Sequence, residues 1–317
     1  MIKCSAGTAK VLGLKEFKTD ALPTTAYLMT GEHCSNDCSF CPQARNASSR
    51  ADMLARITWP AYDQAQVIDR IALAHERKQL QRACFQVVNS QDALTETKLF
   101  LEKVHSRSKV PVCVSCAVGT LEAVGELLAQ GADHVSIALD AACERVFSEH
   151  KGGSWPQKLS LLRAAAKAYP GRIATHLIVG LGETEEEMLT TIQEMTDLGV
   201  IIALFAFTPV KGTRLEKHTP PGLGHYRRIQ AARYLMLKGI TRVERMNFVA
   251  GRLMNFGMER ARWEEELADG EAFRTSGCSD CNRPYYNEKP GGIIYNYPVP
   301  LTVEQRQLAL RELDMQE

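Results

Sequence analysis

Apolar and polar positions alternate along the chain in two rhythms, which predict strands and helices in turn. Short apolar runs predict strands of a buried sheet, and longer segments with apolar residues three and four apart predict the helices between them. The predicted strands cover residues 25–30, 84–88, 110–116, 133–140, 172–180 and 201–207. The predicted helices cover residues 60–79, 94–105, 120–130, 157–168, 184–198 and 225–239.

This regular alternation predicts an α/β fold with a parallel sheet, because a helix must return the chain to the start of each next strand. Right-handed crossovers would close six to eight βα units into a TIM-type barrel, partial or complete. Residues 241–249 and 271–276 are candidates for a seventh and a weaker eighth strand. We expect an N-terminal extension (1–23), a barrel core (24–252) and a C-terminal segment (253–317) that closes the barrel.

Composition and charge narrow the class of protein. The chain has 317 residues and a net charge of +1, with no basic cluster that would favour nucleic acid. No apolar run is long enough to span a membrane, and the N-terminus lacks the apolar core and cleavage site of a signal peptide. We therefore expect a cytoplasmic enzyme, in which the ten cysteines are thiols or metal ligands rather than disulfides.

Three closely spaced cysteines follow the first predicted strand. Cys34, Cys38 and Cys41 form a C-x3-C-x2-C pattern in the run CSNDCSFCPQ. Three thiolates from one short loop can hold three irons of a [4Fe–4S] cluster and leave the fourth iron open to a small molecule. A zinc site is the alternative, but structural zinc favours paired C-x2-C knuckles and four ligands. The triplet therefore predicts an iron–sulfur cluster with one open iron.

Several polar motifs lie at the carboxyl ends of the predicted strands, where barrel enzymes carry their chemistry. Gln86 to Asn89 ends the second strand, Cys116 the third and Asp140 the fourth, and GLGET follows the fifth. Within residues 133–140 every second residue is large and apolar and suits contact with helices: Val135, Ile137 and Leu139. The residues between them, Asp140 included, should face the barrel interior. Asp140 can accept hydrogen bonds from ribose hydroxyls there, or it can cap the next helix.

A second cysteine motif lies near the C-terminus. Cys278 and Cys281 form a C-x2-C pair that can hold part of a second iron–sulfur cluster, with a redox dithiol or half a zinc knuckle as alternatives. If the last predicted strand closes the barrel, the pair overhangs the same mouth as the triplet. Cys116 and Cys4 are the candidate further ligands. Cys113 alternates away from Cys116 and is expected to be a small buried apolar residue.

The run CSNDCSFCPQ resembles the cluster loop of the radical S-adenosylmethionine (AdoMet) enzymes, in particular their biotin-synthase-like branch. The resemblance continues through CFQVVN, SCAVGTL, ALDAA, LIVGLGET and VKGTRL, over most of residues 24–252. It implies that AdoMet binds the open iron and is cleaved to a 5′-deoxyadenosyl radical. The resemblance also places Phe40 at the adenine of AdoMet, Gln86 and Asn89 at its amino group, Asp140 at its ribose, and the backbone from Gly180 to Glu183 below it.

Biotin synthases carry a second cluster on cysteines of strands two, three and five. Cys84 and Cys116 match the first two positions, but Ala174 stands at the third, which disfavours a true biotin synthase. The ending RTSGCSDCNRPYYN instead resembles the biotin-synthase-like subunits of two-protein lipoyl synthases. Ser276 resembles the serine that ligates the auxiliary cluster of single-chain lipoyl synthases, although a serine before a glycine turn also forms local hydrogen bonds.

This resemblance implies radical sulfur insertion into an unactivated C–H carbon, converting octanoyl to lipoyl, with two [4Fe–4S] clusters and AdoMet. The implied partners are an octanoylated carrier protein or peptide, a second radical AdoMet subunit, and an electron donor such as ferredoxin or flavodoxin. Another chemistry of the same branch is the alternative: a biotin-synthase-like reaction, carbon-skeleton rearrangement or metallocluster ligand synthesis. An iron–sulfur carrier or scaffold is the non-enzymatic alternative, and it would need neither a barrel nor Asp140.

Overall fold

The chain forms twelve strands and ten α-helices in the computed structural model, which describes residues 1–31, 34–288 and 291–315. The strands are β1 (Ile2–Cys4), β2 (Thr25–Thr30), β3 (Met53–Leu54), β4 (Ile57–Thr58), β5 (Ala61–Tyr62), β6 (Arg82–Val87), β7 (Val112–Ser115), β8 (His134–Ser136), β9 (Ile173–Val179), β10 (Ile201–Ala206), β11 (Asn247–Val249) and β12 (Arg252–Asn255). The helices are α1 (Ala6–Val11), α2 (Gln64–Glu76), α3 (Ala93–His105), α4 (Leu121–Ala129), α5 (Glu144–His150), α6 (Trp155–Ala168), α7 (Glu185–Asp197), α8 (Leu223–Leu237), α9 (Arg260–Leu267) and α10 (Val303–Arg311).

Six parallel strands form the main part of one sheet, in the order β10-β9-β8-β7-β6-β2. Each parallel strand thus pairs with the parallel strand that comes before or after it in the sequence, as in a barrel wound in one direction. The N-terminal β1 and then β5 extend the sheet beyond β2, and each pairs antiparallel with the strand before it. The sheet confirms the predicted α/β fold as a partial barrel of six βα units.

The predicted seventh and eighth strands are wrong. Residues 241–249 contain a 3-10 turn (Val243–Arg245) and β11, which pairs with β12 in a separate hairpin. Residues 271–276 contain a second 3-10 turn (Glu271–Phe273). Charged side chains explain the first difference, because Arg242, Glu244 and Arg245 are exposed and would have had to face a barrel interior or its helices.

The outer face of the sheet buries its apolar side chains against the helices. In β8 and the residues after it, Val135, Ile137 and Leu139 are at most 1% exposed and belong to the main hydrophobic core. The prediction that these three side chains pack against the helices is therefore confirmed. Helix α7 begins with a capping box, in which the side chains of Thr184 and Glu187 each accept a hydrogen bond from the other's backbone N–H. No helix in the described ranges is long and apolar enough to cross a membrane.

The free edge of β10 is covered by residues 275–288, which we call the closing segment. The backbone N–H of Leu204 in β10 donates to the hydroxyl of Ser276 at 2.8 Å. At its other side the segment reaches the start of β2, where Thr24 donates to the side chain of Asn282 at 3.0 Å. Side-chain hydrogen bonds thus satisfy a strand edge that a seventh strand would otherwise pair.

A buried ion pair anchors the C-terminal residues to the barrel helices. Arg228 and Glu185 are both about 5% exposed and form a bidentate pair, with Nε to Oε2 at 2.9 Å. Glu185 also accepts from the backbone of Leu253, and Arg228 donates to the carbonyl of Leu313. The pair therefore joins α7 and α8 to β12 and to the chain end.

Replacing Arg228 with leucine should cost about 3–5 kcal/mol of stability, because Glu185 would remain buried without its counter-charge. Urea unfolding followed by circular dichroism measures this loss as a lower midpoint. The matched control is Arg242→Leu, which removes a surface pair with Asp197 whose side chains are about half exposed. That midpoint should barely move. Equal shifts in the two variants would contradict the proposed anchoring.

Candidate active site

A cavity of about 600 Å³ lies inside the partial barrel and is lined by all six parallel strands or the residues that follow them. At the carboxyl ends of the strands it is bordered by Cys34, Cys38 and Cys41. At the amino ends it is bordered by Cys278 and Cys281. One continuous cavity therefore connects the two cysteine motifs, and its size is typical of a site for a small molecule.

The loop that carries the triplet is fixed from three sides. Ser35 donates from its backbone to the carbonyl of Asn89, just after β6, at 2.8 Å. Ser39 donates to the carbonyl of His150, at the end of α5, at 2.7 Å, and accepts from the backbone of Leu215 at 3.1 Å. These anchors come from three different βα connections. The thiols are thus held in place by the barrel rather than by their own short loop.

The thiols of the triplet suit a metal cluster. All three line the cavity, and burial raises the pKa of Cys38 to about 11 and that of Cys41 to about 12. Such thiols stay protonated at neutral pH until a metal displaces the proton. The donor set fits a [4Fe–4S] cluster, because three thiols surround one side and the cavity lies open on the other.

Asp140 lies in the cavity wall with an unusual backbone conformation. Its φ of 62° is left-handed, a conformation that is uncommon for a residue other than glycine. Its backbone bridges to Leu177 of β9, and its carboxylate accepts from Lys151 Nζ at 2.6 Å. Helix α5 begins after Cys143, so Asp140 does not cap it. Asp140 instead lines the cavity with its carboxylate paired to Lys151, and its binding of ribose hydroxyls stays a prediction.

The other residues assigned to AdoMet fall into two groups. Phe40, Gln86 and Asn89 line the cavity beside the triplet. Glu183 instead accepts from the backbone N–H of Gly180 at 2.6 Å and of Leu181 at 2.9 Å, and burial raises its pKa. Its carboxylate orders the turn after β9. Neither Gly180 nor Glu183 is among the residues that line the cavity.

The pair Cys278 and Cys281 lies at the opposite end of the barrel from the expected one. Thr25, the first residue of β2, donates to the carbonyl of Asp280 at 3.4 Å, and Tyr27 Oη is 3.4 Å from Cys281 Sγ. The pair therefore lies at the amino ends of the strands and not at the carboxyl ends, where the triplet lies. The reason is that no seventh strand precedes the closing segment, which therefore runs from the edge of β10 across the amino ends of the strands to the start of β2.

Gly277 permits the close approach of the closing segment to β10. Its φ is +121°, and a Cβ at this position would lie 3.1 Å from the Cβ of Ala203. A larger residue would be strained in backbone and packing alike.

Cys113 is buried, as the sequence predicted, but it also lines the cavity next to Cys278, which the sequence did not predict. Its Sγ is 3.3 Å from Cys278 Sγ, and it lines the cavity. Val112 and Val114 are fully buried in the outer core, which leaves Cys113 on the inner face of β7. The same alternation of valines is visible in the sequence VPVCVSC and could have identified this face.

The structure does not bring the three weaker ligand candidates to Cys278 and Cys281. Cys116 lines the cavity, but it follows the carboxyl end of β7, whereas Cys113 is near the amino end. Cys4 is fully buried in β1, which pairs with the edge of β2 opposite to β6, and it does not line the cavity. The Ser276 hydroxyl accepts the β10 hydrogen bond described above.

A polar network surrounds the thiols at the amino end. Arg82 donates to Cys113 Sγ at 2.8 Å and to Asp133 at 3.0 Å, and Asp133 in turn lies 2.7 Å from His134 Nδ1. The hydrogen bond from Cys113, assisted by the nearby charge of Arg82, lowers the pKa of Cys278 to about 6.

Two further residues of the closing segment line the cavity and were not singled out from the sequence. Arg283 stacks over the ring of Phe205 at 4.0 Å and is 8% exposed. Tyr286 packs against Tyr27 and Trp59, with ring centroids 5.5 and 6.1 Å away. Both follow the cysteine pair in the run CNRPYYN, so their proximity to the second motif was the available signal.

Comparison with known proteins adds independent information. The chain is similar to the mitochondrial lipoyl synthase of Lachancea thermotolerans (strain ATCC 56472 / CBS 6340 / NRRL Y-8284), with 26% identity over 194 residues. The match covers 57% of this chain and 48% of that protein, so the chain spans about half the length of this curated relative.

Solved structures share the fold at low sequence identity. A maturase of the [FeFe]-hydrogenase, HydG, superposes with a TM-score of 0.54 and 14% identity, covering 68% of this chain and 50% of that one. Methylornithine synthase superposes with a TM-score of 0.52 and 13% identity, covering 68% of this chain and 62% of that one. Finally, the family model described as the Radical SAM superfamily matches residues 28–195, more than half of the chain. With the cysteine triplet at the carboxyl ends of its parallel strands, the chain belongs to the radical SAM superfamily.

Proposed function

We propose that the protein inserts sulfur into an unactivated C–H carbon as a component of a lipoyl synthase, acting on an octanoyl chain. The observation that carries the proposal is the single cavity with a cysteine triplet at one end and a second group of thiols at the other. A radical made at the first end could thus meet a sulfur donor held at the second. The similarity to a lipoyl synthase over 57% of the chain supports the same chemistry.

When bound, the cluster of this family and AdoMet supply one electron and a 5′-deoxyadenosyl radical, which takes a hydrogen atom from the substrate carbon. Held by the thiols at the other end of the cavity, a second cluster would supply the sulfide for the new C–S bond and the iron that accepts the surplus electron. The chain itself orients the reactants. Phe40 offers an aromatic face for the adenine, and Asp140 offers a carboxylate for ribose hydroxyls. Asn89, which donates to Ser35 and Asn36, keeps the cysteine loop against β6.

The walls between the two ends favour an aliphatic substrate. Met29, Phe205 and Tyr286 provide an apolar lining in which an acyl chain would exclude water from the radical. His176 lies among them, and burial lowers its pKa to about 4, so it is neutral at physiological pH. Ser136 is 6% exposed, and its hydroxyl has no hydrogen-bond partner among the described residues. Each of these two polar side chains could form one hydrogen bond with a substrate that is otherwise apolar.

We propose three partners for this protein. The substrate is an octanoylated carrier protein or peptide. A second radical AdoMet subunit would share the two sulfur insertions that one lipoyl group needs. A ferredoxin or flavodoxin would deliver the electron.

Anaerobically reconstituted protein, given AdoMet, dithionite and a peptide with an octanoylated lysine, should form 5′-deoxyadenosine and a thiolated octanoyl peptide. Both products are measured together by mass spectrometry. The same peptide with an acetylated lysine is the control, and it should yield no thiolated product because its chain is too short to reach the second group of thiols. Abundant 5′-deoxyadenosine from the octanoyl peptide, without any new C–S bond, would point to rearrangement or metallocluster ligand synthesis. A chain that never cleaves AdoMet would instead fit a carrier or scaffold.

A further inference from the structure

Four thiols converge at the amino ends of the barrel strands. Cys84 and Cys113 are paired in register on the neighbouring strands β6 and β7 and face the cavity. Cys278 Sγ lies 3.3 Å from Cys113 Sγ. Cys278 and Cys281 belong to one turn, in which the backbone N–H of Cys281 donates to the carbonyl of Cys278. Cys281 Sγ lies 3.4 Å from Tyr27 Oη, and Tyr27 is the register partner of Cys84 on β2.

We propose that Cys84, Cys113, Cys278 and Cys281 together ligate a second iron–sulfur cluster at the amino end of the barrel. The ligand set combines two adjacent strands with a C-terminal turn, and it replaces the set with Cys116, Cys4 and Ser276 that the sequence suggested. The metal site depends on these four residues alone. Its role as the sulfur donor rests on the proposed function.

The charges around the four thiols favour an anionic occupant. Arg82 is 5% exposed and its Nε has no hydrogen-bond partner among the described residues. Arg283 is 8% exposed, donates to the carbonyl of Ser276 at 2.7 Å, and forms no ion pair with any carboxylate in the described chain. Within the described chain the two buried guanidinium groups thus form one ion pair, that of Arg82 with Asp133, while the buried carboxylate of Glu288 lies near Arg283 without pairing with it. Buried charge without a counter-charge is costly, so an anion belongs here.

A cluster satisfies this requirement better than a single metal ion does. Cys113, His134 and Cys278 form the only group of three or more His, Cys, Asp or Glu side chains in the described chain whose ligand atoms all lie within 4.8 Å of one another, so a zinc ion is the obvious alternative occupant. Two thiolates and a neutral histidine would leave Zn²⁺ with no net charge to offset the arginines. Four thiolates on a [4Fe–4S]²⁺ core carry a net charge of about −2. In addition, His134 Nδ1 is engaged by Asp133 at 2.7 Å.

The test isolates the second site by removing the first. A variant with Cys34, Cys38 and Cys41 all changed to alanine is reconstituted anaerobically with ferrous iron and sulfide. It should retain about four irons per chain, against about eight in the unmodified protein, by iron analysis and Mössbauer spectroscopy. In this background Cys84→Ser, Cys113→Ser and Cys278→Ser should each lower the iron content severalfold. Cys116→Ser is the matched control, since Cys116 lines the same cavity, and should leave the content unchanged.

Three outcomes would overturn the proposal. The first is loss of iron in Cys116→Ser with retention in Cys113→Ser. The second is uptake of one zinc ion that depends on His134 and not on Cys84. The third is an isolated background chain that folds, by circular dichroism, and binds no iron. Failure of the proposed function looks different: the second cluster would be present on these four ligands, yet no thiolated octanoyl product would form.

Discussion

Replacing Cys38 with alanine is expected to reduce 5′-deoxyadenosine formation to background. Two thiols cannot hold the triplet's cluster with its open iron facing the cavity, so AdoMet loses its site and its electron source together. The assay is anaerobic, with dithionite as reductant and 5′-deoxyadenosine measured by mass spectrometry. The loss should be several orders of magnitude, since the radical has no other origin.

Cys143→Ala is the control for this experiment. Cys143 is a partly exposed thiol at the start of α5 and does not line the cavity, so its loss should leave AdoMet cleavage near the unmodified rate. The Cys38 variant should also keep about half of its iron, because the second site has different ligands. Normal 5′-deoxyadenosine from the Cys38 variant would rule out the triplet as the AdoMet site.

Changing Cys278 and Cys281 together to alanine should abolish new C–S bonds while radical formation survives. The two residues lie at the amino ends of the strands, and the anchors of the triplet lie at the carboxyl ends. The first cluster and its AdoMet are therefore undisturbed, although turnover should be slower and uncoupled. Thiolated product and 5′-deoxyadenosine are quantified side by side with the octanoyl peptide.

Two competing roles for the pair give different results in the same assay. If the pair only clamps the closing segment, the double variant should fold poorly and lose both products together. A redox dithiol would affect only the electron supply, so dithionite would restore the thiolated product. Thiolated product at the unmodified yield would remove sulfur donation by this site from consideration. Ser276→Ala is a useful comparison, since it removes the hydrogen bond to β10 without touching a thiol.

Local patterns in the sequence were sufficient for the six βα units. The strands need only short apolar runs, and the helices need only their apolar spacing and caps such as Thr184 with Glu187, because each such signal acts between residues close in the chain. The triplet was equally local. All three of its thiols come from one loop, so their spacing alone indicated a cluster, and the end of β2 placed them at the carboxyl side of the sheet.

Only the tertiary structure decided where the second motif lies and which thiols join it. The closing segment reaches the barrel through contacts with residues some 70 and 260 positions away, Leu204 and Thr24 among them, and no local pattern encodes such pairings. The inner face of β7 was encoded in its valines, but without the neighbouring strands the alternation could not show that Cys113 meets Cys278. The sequence by itself therefore determined the family and the barrel units, and it predicted the first cluster site. Chain closure decided the second site, because long-range packing brings together thiols that the sequence keeps far apart.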